Sequence, residues 1–303
     1  MKKLYGVITP IITPLTEDEQ VDYRSLENLT TSLIERGSDG IYVCGTTGGV
    51  IYLSIEERKR ILETVWNASA GRAVVYAQIG GTTLSNSLQL AEHAVKLGVD
   101  GLGVLTPTYY PLSDEELEDY YVTVSRNVPE DMPIYIYAIP GLAVNDMSVS
   151  LVERIAEKCP NILGIKYSAN DMIRLYGFRQ IRNGQFSVMV APLEMAYAAF
   201  SIGCDGIVSG TCHVFTEKIK EMYVSYKKGD FHKAKLLQER LLKFAPLVRE
   251  KEMAKCKAYL YHEGIIANDT MRAPMKQVNQ KDKDILFSGM EKYKAWIGID
   301  EVL

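Results

Sequence analysis

Lys166 stands in a setting that suggests covalent chemistry. Residues 162–170 begin with a short apolar run, follow Pro160 and end in a polar cluster, which predicts a buried strand with Lys166 as its last residue. An ammonium group at a buried strand end loses hydration unless it pairs, stays in contact with water or is held as the neutral amine. A neutral lysine amine attacks carbonyl carbons, so the position favours Schiff-base chemistry. The alternative is a side chain that extends from the strand end into water.

Two threonines stand in the glycine-rich segment 45–49, whose sequence is Gly-Thr-Thr-Gly-Gly. Such a segment is either a flexible turn or a nest of backbone N–H groups and hydroxyls that holds a carboxylate. Thr46 and Thr47 are therefore candidates for contacts with an anionic substrate.

Three tyrosines and a glutamate are further candidates. Tyr109 and Tyr110 are either packing and interface residues or proton donors, and Tyr137 is either a core residue or a catalyst. Glu194 stands at a predicted helix start, where the helix dipole favours a carboxylate, or it binds substrate. The four histidines lack metal-ligand spacing and no Walker-type phosphate loop is present, so we predict neither a metal nor another cofactor.

Eight strand patterns, each followed by a helical pattern, must position these residues. Capping-box pairs at Ser54/Glu57 and Ser113/Glu116 predict two of the helix starts. The strands are continuous apolar runs, as expected for a parallel sheet covered by helices. This order predicts an α/β fold, a (β/α)8 TIM barrel. The predicted strands are residues 7–10, 40–44, 73–78, 101–105, 134–138, 162–166, 187–191 and 206–208.

The alternative is an open doubly wound sheet. Its Gly-x-Gly-x-x-Gly turn is missing after the first strand, where residues 9–12 read Thr-Pro-Ile-Ile. A helix over residues 216–228 completes the eighth unit, and only helical patterns follow. We therefore predict a catalytic barrel over residues 1–228 and a C-terminal helical bundle over residues 229–303 that packs against it.

The carboxyl ends of all strands of such a barrel meet at one face, where the chemistry of these folds takes place. Each candidate follows a strand end on this map, so we expect them on one rim. They are Thr46 and Thr47 after the second strand, Tyr109 and Tyr110 after the fourth, Tyr137 and Lys166 at the ends of the fifth and sixth, and residues 209–211 after the eighth.

Composition narrows the class of protein. The chain has 303 residues and a formal net charge of -4, so no basic surface points to nucleic acid or an acidic membrane. No run approaches the ~20 apolar residues that span a bilayer. The five cysteines are odd in number and widely spaced, without a Cys-x-x-Cys pair, and we expect reduced thiols. A cytoplasmic enzyme without nucleic-acid or membrane partners is predicted.

Short motifs stand in a definite order along the chain: Gly45-Thr-Thr-Gly48, Thr106-Pro-Thr-Tyr-Tyr-Pro111, Tyr137-Ala-Ile-Pro140, Gly164-Ile-Lys166 and Asp269-Thr-Met-Arg-Ala-Pro274. In this order and spacing the chain resembles the dihydrodipicolinate synthase and N-acetylneuraminate lyase family of pyruvate-dependent class I aldolases. The resemblance covers nearly the whole length. It implies a (β/α)8 barrel with C-terminal helices, usually assembled as a homotetramer.

The resemblance also implies catalytic roles. Lys166 would form the Schiff base with the keto group of pyruvate, and Tyr137 would shuttle protons at the imine and the new carbon–carbon bond. Thr46 would complete a proton relay together with Tyr109, the latter reaching across a subunit contact. A tyrosine of normal pKa ~10 needs such a hydrogen-bonded relay to exchange protons near neutrality.

Substrate contacts are implied in the same way. Thr47 and neighbouring N–H groups would hold the pyruvate carboxylate, and the backbone carbonyl of Val208 would face the lysine. Tyr110, Leu142 and Glu194 would line the acceptor side of the site.

The sequence departs from the family pattern at the acceptor side. The synthase arginine that holds the second carboxylate is replaced by Leu142, and the acidic residue that the lyase branch places before Glu194 is Leu193. A pocket lined by two leucines predicts an acceptor aldehyde that is less charged and less hydroxylated. The other departures are Gly49 for a glutamate, Ala138 for an asparagine and Gly210 for a serine.

Our hypothesis is a Schiff-base class I aldolase that condenses pyruvate with an aldehyde or cleaves a 2-keto acid to pyruvate, with small molecules as its substrates. One alternative is 4-hydroxy-tetrahydrodipicolinate (dihydrodipicolinate) synthase itself. Another is a barrel that binds a 2-keto acid without turnover. The presence of Lys166, Tyr137 and Thr46 argues against the last, because binding needs neither a nucleophile nor a relay.

Overall fold

Eight parallel strands form the centre of the computed structural model, which describes residues 3–297. Each strand pairs with the next along the chain, and β8 pairs with β1 to close the barrel. The strands are β1 Gly6–Pro10, β2 Gly40–Val43, β3 Val74–Gln78, β4 Gly101–Leu105, β5 Ile134–Ala138, β6 Ile162–Tyr167, β7 Ser187–Val190 and β8 Gly206–Val208. The closed parallel order confirms the predicted (β/α)8 barrel and excludes the open sheet.

Helices follow the strands and cover the outside of the barrel. They are α1 Tyr23–Glu35, α2 Ile55–Ser69, α3 Leu84–Leu97, α4 Asp114–Arg126, α5 Pro140–Ala143, α6 Val149–Lys158, α7 Met172–Gly184, α8 Ala196–Ser201 and α9 Cys212–Lys227. Short 3-10 turns span Val50–Tyr52 and Leu193–Met195. The C-terminal extension contains α10 Phe231–Phe244, α11 Pro246–Arg249, α12 Glu252–His262 and α13 Gln280–Ile297.

Both predicted capping boxes are present. The Ser54 hydroxyl accepts a hydrogen bond from the Glu57 N–H, and the Glu57 carboxylate accepts one from the Ser54 N–H. Ser113 and Glu116 make the same reciprocal pair at the start of α4. Each box satisfies backbone donors that the first helical turn leaves without partners.

Several predicted boundaries were wrong by a few residues. Lys166 does not end its strand, because Tyr167 still pairs with Ala138 and Val190 on the two neighbouring strands. Helix α9 begins at Cys212, four positions before the predicted start at residue 216. Its first turn, residues 212–215, is buried on every side, so no amphipathic period is visible there in the sequence.

The barrel interior contains large tyrosines packed against glycines. The Tyr76 and Tyr135 rings meet edge to face at 5.5 Å, and the Tyr42 and Tyr137 rings do so at 5.8 Å. A Cβ at Gly103 on β4 would lie 1.8 Å from the Tyr42 hydroxyl oxygen. The absence of a side chain at that position is therefore what lets the Tyr42 ring fill the barrel beneath the mouth.

The C-terminal helices pack against the barrel. Helix α10 lies along α9, and Tyr293 of α13 contacts the rings of Phe215, Phe244 and Trp296. The predicted boundary between residues 228 and 229 stays a prediction, since α9 ends at Lys227 and α10 begins at Phe231. The outermost parts of the two predicted domains, residues 1–2 and 298–303, lie outside the described residues.

Two general sequence expectations concern membranes and thiols. Within residues 3–297, no helix combines the length and the apolar character that crossing a membrane requires. All five cysteines are buried free thiols.

Substitution of Gly103 tests the packing of the interior. We expect Gly103→Ala to lower the free energy of unfolding by about 1–3 kcal/mol, because the added methyl forces the Tyr42 ring to move in a packed interior. Urea unfolding measures the change. Gly141→Ala is the matched control, since no atom lies within 4 Å of the added methyl and a change within about 0.5 kcal/mol is expected. Equal stability of the two variants would contradict this account of the interior.

Candidate active site

A cavity of about 530 Å³ opens at the carboxyl ends of the strands. Strand ends, strand-to-helix loops and the C-terminal helices all contribute to its wall. The predicted residues that line it are Thr46, Thr47, Tyr137, Leu142, Lys166, Glu194 and Val208.

Lys166 lies at the floor of the cavity and is almost completely buried. In the strand ladder it stands beside Tyr137 on one side and Met189 on the other. Its Nζ lies 3.9 Å from the centre of the Tyr137 ring and 4.6 Å from that of the Tyr42 ring. Burial lowers the pKa of this amine to about 7, although the Glu252 carboxylate acts in the opposite direction. A large fraction of the lysine is therefore neutral and nucleophilic near neutral pH.

The ring of Tyr137 that packs on this amine carries a hydroxyl that is hydrogen-bonded to Thr46. It shares a hydrogen bond of 2.9 Å with the Thr46 hydroxyl, in which either group can be the donor. Burial raises the pKa of Tyr137 above its ordinary value, and hydrogen bonds from Thr46 and Ser168 oppose that rise. Tyr137 is thus a neutral phenol near pH 7 that can both donate and accept a hydrogen bond.

The glycine-rich segment after β2 is a tight hydrogen-bonded turn. The N–H groups of residues 48–50 bond to carbonyls at residues 45 and 46, and the Thr13 hydroxyl donates to the Gly48 carbonyl at 2.8 Å. Within residues 3–297, no protein acceptor is bonded to the N–H groups of Thr46 and Thr47. The turn therefore presents two N–H donors and the Thr47 hydroxyl, and of the two interpretations of this segment the geometry favours an anion-binding turn.

A buried histidine fixes the loop after β8. His213 Nε2 accepts a hydrogen bond from the Ile12 N–H, so its Nδ1 carries the proton and donates to the Gly210 carbonyl at 2.8 Å. Burial lowers the pKa of His213 to about 4, which keeps the ring neutral. The Ser209 and Thr211 hydroxyls share a further hydrogen bond of 2.9 Å. These contacts hold Gly210 at the cavity wall.

Tyr109 and Tyr110 do not line the cavity. They are 79% and 70% exposed, and their rings pack edge to face on each other at 5.0 Å. Of the three residues of the predicted relay, Tyr137 and Thr46 line the cavity within one chain, and the roles of Tyr109 and Tyr110 stay predictions.

The sequence analysis missed two charged residues of the cavity wall. Arg249 of α11 pairs with the Glu194 carboxylate, and Glu252 begins α12. Burial raises the pKa of Glu252 to about 7, although Lys166 lowers it in part. Both residues belong to the C-terminal extension, and no sequence pattern there indicates which helix end reaches the barrel mouth. Ser168, which directly follows the lysine strand, could have been found from its position alone.

The cavity does not contain a set of metal ligands. No group of three or more His, Cys, Asp or Glu side chains able to hold a metal ion occurs in the described part of the chain, residues 3–297.

Comparison with known proteins gives matches along nearly the whole chain. A curated 4-hydroxy-tetrahydrodipicolinate synthase from Aquifex aeolicus is 30% identical over 289 residues, which cover 95% of this chain and 97% of the relative. N-acetylneuraminate lyase 2 of Escherichia coli O6:H1 is also 30% identical, over 93% of this chain and 92% of the relative.

A solved structure is similar over the same length. It is a prophage protein of the dihydrodipicolinic acid synthase family from E. coli K12 in complex with pyruvate, and it superposes with a TM-score of 0.90 at 25% identity. The superposition covers 96% of this chain and 98% of that protein. The model of the dihydrodipicolinate synthetase family matches residues 3–292, and the chain belongs to this family.

Proposed function

We propose that Lys166 forms a Schiff base with pyruvate and that the resulting enamine adds to an aldehyde. In the reverse direction Lys166 forms the Schiff base with a 2-keto acid, and cleavage releases the aldehyde and leaves the enamine of pyruvate on the lysine until it is protonated and hydrolysed. As a member of its family the chain is a lyase of the class I aldolase type that acts on small molecules. The observation that carries the proposal is the position of Lys166, a buried amine with a pKa of about 7 beside the hydroxyl pair of Tyr137 and Thr46.

The first steps follow from the neutral amine. Lys166 Nζ attacks the keto carbon of pyruvate and forms a carbinolamine, which loses its hydroxyl as water to give the imine. The imine withdraws electrons, so the methyl carbon loses a proton and becomes the nucleophilic enamine carbon. This carbon forms a bond to the aldehyde carbon, and the aldehyde oxygen takes up a proton. Water then hydrolyses the imine, which releases the product and regenerates the amine.

Tyr137 and Thr46 are the proton carriers of this scheme. The Tyr137 phenol can donate to the carbinolamine oxygen and to the new alkoxide, and Thr46 can return the proton along their 2.9 Å hydrogen bond. In the predicted homotetramer, Tyr109 of a neighbouring subunit would extend the relay toward solvent. Its 79% exposure in the single chain leaves the ring free for such a contact.

The turn after β2 is proposed to bind the pyruvate carboxylate. The Thr47 hydroxyl and the N–H groups of Thr46 and Thr47 supply donors at the cavity wall. The carbonyl of Val208, also at the wall, would orient the lysine amine toward the keto carbon. These contacts would place the methyl group of pyruvate toward Leu142 and Glu194.

A second candidate is 4-hydroxy-tetrahydrodipicolinate synthase, favoured by the names of several relatives. That reaction needs a cation for the carboxylate of the acceptor, and position 142 is a leucine here. Among residues 3–297, Arg249 is the one arginine that lines the cavity, and it is already paired with Glu194. We therefore place the synthase second.

A cytoplasmic location is also proposed, and the five free buried thiols support it because reducing compartments keep cysteines unpaired.

Borohydride trapping tests the Schiff base directly. After incubation with pyruvate and reduction, we expect a single adduct on Lys166, located by peptide mass, and none in Lys166→Ala. Lys257 is an internal control, since burial also lowers its pKa to about 7 but it lies outside this cavity. Labelling of Lys257 instead of Lys166, or no labelling of folded protein, would refute the assignment.

The relay is tested by removing single hydroxyls. Tyr137→Phe should lower kcat for exchange of the pyruvate methyl protons by about 10²–10⁴-fold, because proton transfer at the imine loses its carrier. Thr46→Val should cause a smaller loss of the same kind, measured as exchange of the pyruvate methyl protons. Tyr167→Phe is the control, since that neighbouring hydroxyl faces Asp146 and lies outside the cavity. Full exchange activity in Tyr137→Phe would exclude this role.

The pH profile reports the charge state of Lys166. Below its pKa of about 7 the amine is protonated and cannot attack, so kcat/KM for pyruvate should fall about tenfold per pH unit on the acid side. The ionised Glu252 carboxylate raises the pKa of Lys166, so Glu252→Gln should move this limb to lower pH. An acid limb that stays in place would show that the two groups are not coupled. A limb that moves to higher pH would contradict the predicted sign of the coupling.

A further inference from the structure

Glu252 and Gly210 meet at the cavity wall, where a side chain at position 210 would displace the Glu252 carboxyl. A Cβ built on Gly210 would lie 1.9 Å from Oε1 of Glu252 and 2.6 Å from its carboxyl carbon. The same point lies 3.2 Å from the Thr47 methyl carbon. The Glu252 carboxyl therefore occupies the space that any side chain at position 210 would fill, inside the same cavity as Lys166.

The Glu252 carboxyl has no protein partner in the described part of the chain. Within residues 3–297, no group donates a hydrogen bond to it and no cation lies within 4.0 Å of it. The charged groups whose fields reach it are Lys166 on β6 and Glu194 on the 3-10 turn before α8. A half-buried carboxyl that is left unpaired costs free energy, and a ligand with a hydrogen-bond donor removes that cost.

The charges of the cavity restrict what that ligand is. Arg249 is neutralised by Glu194, and Lys166 becomes part of the imine in the proposed reaction. No other lysine or arginine among residues 3–297 lines the cavity, so a second carboxylate would meet Glu252 without a free cation to balance it. A hydroxyl, in contrast, can donate to the carboxyl in either of its protonation states.

We propose that Glu252, admitted by Gly210, is an acceptor subsite that binds a hydroxyl of the aldehyde and disfavours aldehydes that carry a carboxylate. This inference rests on the proposed function and names its substrate class. It also revises the expectation of a less hydroxylated acceptor, because the cavity that Leu142 and Leu193 line also contains a polar group that the sequence did not indicate.

Paired aldehydes test the subsite on the full-length protein with pyruvate as donor. Glyceraldehyde and propanal differ in hydroxyls, and succinic semialdehyde and butanal differ in a carboxylate. We expect kcat/KM to be at least tenfold higher for glyceraldehyde than for propanal, and lower for succinic semialdehyde than for butanal. Glu252→Leu should abolish the first preference, and Glu252→Gln should keep part of it while removing the discrimination against the carboxylate.

Two further variants and one assay distinguish failure of the acceptor subsite from failure of the proposed function. Gly210→Ala should reproduce the loss in Glu252→Leu, because its methyl displaces the carboxyl, whereas Glu250→Gln, an exposed neighbour outside the cavity, should match the wild type. Borohydride trapping of pyruvate is run on every variant. No adduct in the wild type would overturn the proposed function, while normal adducts with unchanged aldehyde preferences in Glu252→Leu would overturn the subsite alone.

Discussion

The desolvation of one amine is the constraint on which the site depends. Lys166 lies at the barrel floor against the faces of Tyr42 and Tyr137, where an ammonium group loses its water shell. Aromatic faces attract a cation, yet burial is the larger effect and lowers the pKa to about 7. In the proposed reaction Lys166 is a nucleophile because the fold itself makes the charged form of the lysine unfavourable.

The packing below the amine maintains this environment. Gly103 leaves room for the Tyr42 ring, and the Tyr42 and Tyr137 rings meet edge to face beneath the cavity. A smaller residue at position 42 would admit water below Lys166 and restore hydration to the ammonium. Gly103 on β4 therefore affects the environment of Lys166 on β6 through the Tyr42 ring, although Gly103 does not line the cavity.

The sequence predicted the parts of the site that depend on local patterns and strand register. It did not predict the parts that depend on contacts between segments far apart in the chain. The neighbouring positions of Lys166 and Tyr137 were predicted to within one residue of their strand ends, because parallel register fixes strand ends relative to one another and local apolar runs identify the strands. Glu252 was not found, since its place at the barrel mouth depends on how α12 packs against the barrel. The hydrophobic periodicity of a helix does not show which of its ends reaches the barrel mouth. The same limit applies to Tyr109, whose predicted partner belongs to another subunit.

The residues of the proposed reaction and those of its proposed selectivity lie on different elements of the structure. The nucleophile and its hydroxyl partner are tied to β5, β6 and the turn after β2, where a shift of register would break several ladder hydrogen bonds. Gly210 and Glu252 lie on a loop and on the first residue of an appended helix, so they can change without disturbing the ladder. A side chain at position 210 nevertheless requires the residue at position 252 to move or change, because it would occupy the space of the Glu252 carboxyl. A barrel of this kind can therefore acquire a new acceptor by a paired substitution and keep its Schiff-base chemistry.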